Sequence, residues 1–172
     1  MYNKVVVPLD GSNLAEVALP HVEEMAHGCN ITEILLISVT EPLKGINIDG
    51  GLREYMGNGE YGMDGGAPVL LGRMAKTALN YLEKMANQLQ KKGLTASYEV
   101  LMGDPAEQIL SFADQKGADL IVMASRGKSN NNRWDMGNVA DKVTRASTIP
   151  VLLVKPEPGF KETKPKRRGK AA

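Results

Sequence analysis

Four short stretches of the chain are apolar without alternation: Val5–Val7, Ile34–Val39, Leu120–Met123 and Val151–Val154. Runs of this kind, rich in β-branched residues, suit strands covered on both faces, as in a parallel sheet. A fifth stretch, Ala96–Leu101, mixes Ser97 and Glu99 with Tyr98, Val100 and Leu101, which suits a half-exposed edge strand. Helical spacing fills the gaps. After Ser12, a good N-cap, Ala15, Ala18, Val22, Met25 and Ala26 recur at the helical period, and Gly28 marks a stop. Residues 70–92 place Leu71, Ala75, Ala78, Leu82, Met85 and Leu89 on one stripe, with Gly93 after it. Asp104-Pro105-Ala106-Glu107 reads as an N-cap, a proline at the first helical position and a capping-box glutamate, opening a helix to about Lys116. A last helix is expected from near Gly137 to about Ala146. Strand and helix alternate throughout, which predicts a doubly wound α/β fold with a five-stranded parallel sheet and four helices.

Residues 41–69 interrupt this alternation with eight glycines between Gly45 and Gly66. A loop of that length within a compact domain is functional or disordered. The end of the chain departs too. Residues 155–172 carry seven Lys/Arg against two Asp/Glu, whereas residues 1–154 carry 14 against 18. The body is therefore net acidic, which disfavours nucleic acid as its partner. We expect a domain over residues 1–156 and a basic, flexible tail over 157–172, which solubilises the protein or anchors nucleic acid or an acidic partner.

Composition narrows the class further. The 172 residues are 42% hydrophobic, 24% charged and 5% aromatic, as in globular proteins. No apolar run approaches the ~18–20 residues of a membrane span. Cys29 stands alone, so neither an internal disulfide nor a cysteine metal cluster is available. With Met1-Tyr2-Asn3-Lys4 leading straight into a core strand, a cytoplasmic location is expected.

Ligands of open α/β sheets bind outside the carboxyl ends of the strands, where the strand order reverses. After the first strand comes Pro8-Leu9-Asp10-Gly11-Ser12: a carboxylate, a glycine and a helix N-cap. After the fourth comes a segment from Ala124 to Asn138 with two glycines, several amides and hydroxyls, three cations and a helix start. Backbone N–H groups at a helix N-terminus beside glycines suit a phosphate, and Asp10 suits ribose hydroxyls. The same residues also fit two ordinary turns, with Asp10 capping the first helix.

The chain resembles the universal stress protein family across about residues 3–156. The likeness rests on Val-Pro-Leu-Asp-Gly-Ser at 7–12, Gly-Asp-Pro at 103–105 and Ala-Asp-Leu-Ile-Val-Met at 118–123. Gly-Asn-Val-Ala-Asp-Lys-Val at 137–143 and Ile-Pro-Val-Leu-Leu-Val at 149–154 complete it. The resemblance implies a sheet of order 3-2-1-4-5, an adenine-nucleotide alpha hydrolase-like fold and a homodimer joined through Val151, Leu152, Leu153 and Val154. In one branch it implies binding of ATP or AMP, with or without Mg²⁺, through a Gly-two-residues-Gly-nine-residues-Gly-Ser/Thr motif. Carried onto this chain, the motif falls on Ala124, Gly127, Gly137 and Asn138. Its spacing holds, but Ala124 replaces the first glycine and Asn138 the Ser/Thr. The implied nucleotide site comprises Pro8, Leu9, Asp10, Val39, Met123, Ala124, Arg126, Gly127, Gly137, Asn138 and Val139. Asp10 takes the ribose, the Val39 backbone the adenine edge, and residues 126–127 and 137–139 the phosphates.

Other features carry less. Gly57-Asn58-Gly59-Glu60-Tyr61-Gly62 fits a dinucleotide fingerprint, but it neither follows a strand nor opens a helix. His21 and His27, six apart on one helix, read as surface residues. Met74 and Met85 read as core, and Trp134 as a packing residue. No Ser/His/Asp or paired-carboxylate arrangement presents itself, so slow ATP hydrolysis would need a positioned water. The alternative to a nucleotide-binding stress protein is a dimeric interaction protein of the same fold that has lost its nucleotide.

Overall fold

The structure, a computed structural model, describes residues 2–29, 31–40, 67–126, 136–157 and 160, with side chains of 67–72 left aside. In chain order come β1 (Lys4–Pro8), a 3-10 turn (Ala15–Val17), α1 (Ala18–Cys29), β2 (Glu33–Thr40) and α2 (Ala67–Lys91). Then follow β3 (Ala96–Met102), α3 (Pro105–Lys116), β4 (Leu120–Ala124), α4 (Asn138–Ala146) and β5 (Val151–Val154). All pairings are parallel, and the strand order is β3-β2-β1-β4-β5. The fold class and strand order are those expected.

The unbroken apolar runs have a direct cause. Val5 and Val7 face one side of the sheet, packed with Val22 of α1 and Leu82 and Leu89 of α2. Val6, between them, faces the other side with Ile109 and Phe112 of α3 and Val143 of α4. Both faces are covered, so Val5–Val7 of β1 and all of β4 leave no position for a polar residue. Each such fully buried aliphatic side chain contributes about 1.5–3 kcal/mol.

Three local features differ from the expectation. The first helix does not run straight from Ser12: a 3-10 turn intervenes, and α1 begins at Ala18, with Pro20 in its first turn where a missing N–H costs no bond. The second helix starts at Ala67, three residues inside the Gly-rich stretch; residues 41–66 lie outside the described part. Met74 is 40% exposed, at the edge of the stripe that buries Ala75, Leu82, Met85 and Leu89. Met85 is core as expected, and His21 and His27 are exposed. The basic tail beyond Phe160, together with Gly57–Gly62, Gly127 and Trp134, lies outside the described residues.

Candidate functional site

The chain moves from β1 outward to β2 and β3, then crosses back to place β4 on the other side of β1. The crevice at this reversal opens above the carboxyl ends of β1 and β4. It is a cleft of about 150 Å³.

Four segments distant in sequence meet there. Pro8, Leu9 and Asp10 come from the end of β1, Val39 from the end of β2, and Met123, Ala124 and Arg126 from β4 and the residues after it. Gly137, Asn138 and Val139 come from the start of α4. Ten of the eleven residues singled out in the sequence thus line one cleft; the eleventh, Gly127, is outside the described part. Five further lining residues were not singled out: Ala15, Ile37, Pro105, Ile109 and Ala140. Pro105 and Ile109 lie one turn apart on α3, and only the right-handed crossover from β3 brings that helix over the cleft.

Local bonding explains how each wall is held. Leu9 N–H donates to the Ile37 carbonyl at 2.8 Å, extending the β1–β2 ladder to the brink of the cleft. Gly11 then takes φ +79°, a conformation that side chains rarely adopt. The turn so formed lets the Asp10 carboxylate accept from Ser12 N–H at 2.9 Å and from Ser12 Oγ at 2.5 Å. Ser12 Oγ in turn accepts from Ala15 N–H at 3.2 Å, capping the 3-10 turn. Asp10 therefore shapes the turn and lines the cleft together.

On the opposite wall, Ser125 N–H donates to the Val154 carbonyl at 2.8 Å, and the Ser125 carbonyl accepts from Gly137 N–H at 2.9 Å. That second bond returns the start of α4 to the end of β4. Gly137 is the N-cap of α4 and has no side chain to cap with. The first N–H groups of α4 consequently have no intrahelical partner and carry the positive end of the helix dipole, at residues that line the cleft. The slot is otherwise mostly apolar, lined by Pro8, Leu9, Ile37, Val39, Ile109 and Met123. Such a site accepts a flat apolar group at one end and an anion at the other.

Beneath the floor, the Tyr81 hydroxyl of α2 donates to Glu16 Oε1 at 3.1 Å. Burial pushes the Tyr81 hydroxyl far above its ordinary range, and the charge and hydrogen bond of Glu16 and the charge of Asp10 add to it. At the lip, Asp104 caps α3 and lies below its ordinary value, chiefly through the Glu107 N–H bond; Lys142 adds to the effect. Among the described residues, no three His, Cys, Asp or Glu side chains gather as a metal site would need.

The family model "Universal stress protein family" matches residues 58–155. The chain belongs to the universal stress protein family. Among members of this family, Universal stress protein MJ0577 of Methanocaldococcus jannaschii is 30% identical over 157 residues, covering 90% of this chain and 96% of its own length. The solved structure of MJ0577 superposes with a TM-score of 0.72 at 28% identity, covering 92% of this chain and 99% of that one. Two more distant structures share the fold. One universal stress protein, solved in complex with cAMP, has a TM-score of 0.59 at 20% identity and covers 90% of this chain and 97% of that one. Another, from Arabidopsis thaliana with AMP bound, has a TM-score of 0.59 at 18% identity and covers 90% and 92%. In the described part of this universal stress protein, no helix is long and apolar enough to cross a membrane.

Proposed function

We propose that this universal stress protein binds an adenine nucleotide, ATP or AMP, in the cleft between β1 and β4, and acts as a homodimeric binding module in the stress response. One observation carries the reading: an apolar slot that ends at the uncapped N-terminus of α4, with the Asp10 carboxylate beside it. In this reading the base lies between Val39 and Ile109, Asp10 takes ribose hydroxyls, and the free N–H groups of Asn138 and Val139 take phosphate. Mg²⁺ enters only as the companion of ATP's phosphates. That relatives of the same fold carry cAMP and AMP is in keeping with it.

A second reading is favoured by two residues. Ala124 lines the cleft with a methyl where the family motif has glycine, and Asn138 places a longer side chain where the motif has Ser/Thr. Both narrow the phosphate end, so an interaction protein of the same fold that no longer holds nucleotide stands as the alternative. Calorimetry with ATP and AMP separates the two. We expect micromolar binding by the wild type, worth about 7–8 kcal/mol. Ala124→Gly with Asn138→Ser should tighten ATP further. No heat from the wild type, but binding by that double variant, would establish the second reading.

A further inference from the structure

The two helices at the mouth of the cleft are tied by one ion pair. Asp104, the residue before cleft-lining Pro105, accepts from Ala106 N–H at 3.0 Å and Glu107 N–H at 3.1 Å through Oδ1. Its other oxygen, Oδ2, takes Lys142 Nζ of α4 at 3.3 Å. Lys142 follows Asn138 by four residues, so the two share a face of α4. Helical side chains lean toward the N-terminus, which carries the ammonium back toward the end of the helix that opens on the cleft. The neighbouring Asp141 is engaged by Arg145 at 2.9 Å. The Asp104–Lys142 pair therefore adds to the charges that Asp10 and Arg126 bring to the cleft: a carboxylate one residue from cleft-lining Pro105 is held beside the turn of α4 that the nucleotide reading gives to phosphate, and Lys142 offsets it.

We infer that Lys142 is a specificity-determining residue, which by neutralising Asp104 lets the cleft accept ligands in proportion to their phosphate charge. The inference deepens the nucleotide reading and rests on it. Without the lysine, the Asp104 carboxylate faces an incoming polyphosphate and repels it, more strongly as phosphates are added. The ribose and base, being neutral, do not feel the change.

The test measures ATP, AMP and adenosine binding by calorimetry on the full chain. In about 20 mM salt, where charges at this range are poorly screened, Lys142→Met should weaken ATP about fivefold and AMP about twofold. Adenosine should be unaffected, and Lys142→Arg should bind as the wild type does. Asp104→Asn keeps an oxygen to cap α3 but removes the charge, so adding it to Lys142→Met should restore ATP to within about twofold of wild type. An equal loss for all three ligands would show that Lys142 only supports the fold, and would overturn the inference. Failure of Asp104→Asn to rescue would overturn it as well. A wild type that binds none of the three ligands is a separate result, seen before any substitution; it removes the nucleotide reading and this inference together.

Discussion

Asp10 and Ser12 are bonded twice: both the backbone N–H and the hydroxyl of Ser12 donate to the same oxygen, Asp10 Oδ1, at 2.9 and 2.5 Å. A residue that lines the cleft is thereby also a structural part of the turn below it. The two roles are separable by substitution. Ser12→Ala removes the cap on Ala15 and should cost about 1 kcal/mol of stability while leaving ligand affinity within about twofold. Asp10→Ala should cost a similar stability and in addition weaken nucleotide binding by about 1.5–3 kcal/mol. Thermal unfolding and calorimetry on both variants check this. Equal binding losses from both would mean that Asp10 acts through the turn alone.

The edge strand β5 supplies a test of dimerisation. Val151 and Leu153 pack toward α3 and α4, whereas Leu152 is 38% exposed on a strand that has no neighbour on its outer side among the described residues. An open apolar edge invites a symmetric partner. Leu152→Lys should yield a monomer in sedimentation velocity with its secondary structure unchanged. Leu153→Lys is the poorer choice, because it also places a charge against the core. A wild type that sediments as a monomer at micromolar concentration would refute the homodimer.

Tyr81 gives the protein an alkaline limit. Burial, then Glu16 and Asp10, raise its hydroxyl above the ordinary value of 10.0, so the neutral form is the one the fold favours. That stability is whole below pH 10 and is lost as pH rises beyond it, where the unfolded chain ionises and the folded one resists. Tyr81→Phe should cost about 1 kcal/mol near neutral pH through the lost bond to Glu16. It should also flatten the fall in melting temperature above pH 10. An unchanged alkaline slope in the variant would show that Tyr81 does not govern it.

Asp119 contributes on the acid side. Its Oδ2 accepts from Lys4 N–H and Asn3 N–H, both at 2.9 Å, and these bonds, that of Lys4 first, hold the carboxyl below its ordinary 3.8. The contribution is complete above that value and disappears as pH falls through the lower, folded one. Asp119→Ala should reduce the difference in melting temperature between pH 6 and about pH 2–3, which differential scanning calorimetry reads directly.

For the tail, the expectation is indifference. Residues 161–172 hold six Lys/Arg and no large apolar residue, so they have little to bury. Deleting 157–172 should leave the melting temperature and the oligomeric state unchanged. A fall of several degrees would mean that the tail packs on the body.

The sequence alone determined the alternation of buried strands and helices, because covering a sheet on both faces demands something visible residue by residue, while the strand order came with the family resemblance. Val5-Val6-Val7 cannot alternate if Val6 must enter one core and its neighbours the other. Asp104-Pro105 announces the start of α3 through local capping chemistry that needs no distant partner. The cleft was legible where its residues match the family's pattern, as at Asp10, Arg126 and Gly137. Pro105 and Ile109 carry none; to the sequence they are the first turn of an amphipathic helix. Met74 looked like core because a period of 3.6 does not say how wide the buried stripe is, and that depends on what the sheet presents to it. Likewise, nothing in the spacing of Asp104 and Lys142, 38 residues apart, foretells their pairing. Tertiary structure decided these points, since the crossover from β3 and the return of α4 to Ser125 set which helix faces meet, and that meeting is a property of the whole chain rather than of any segment.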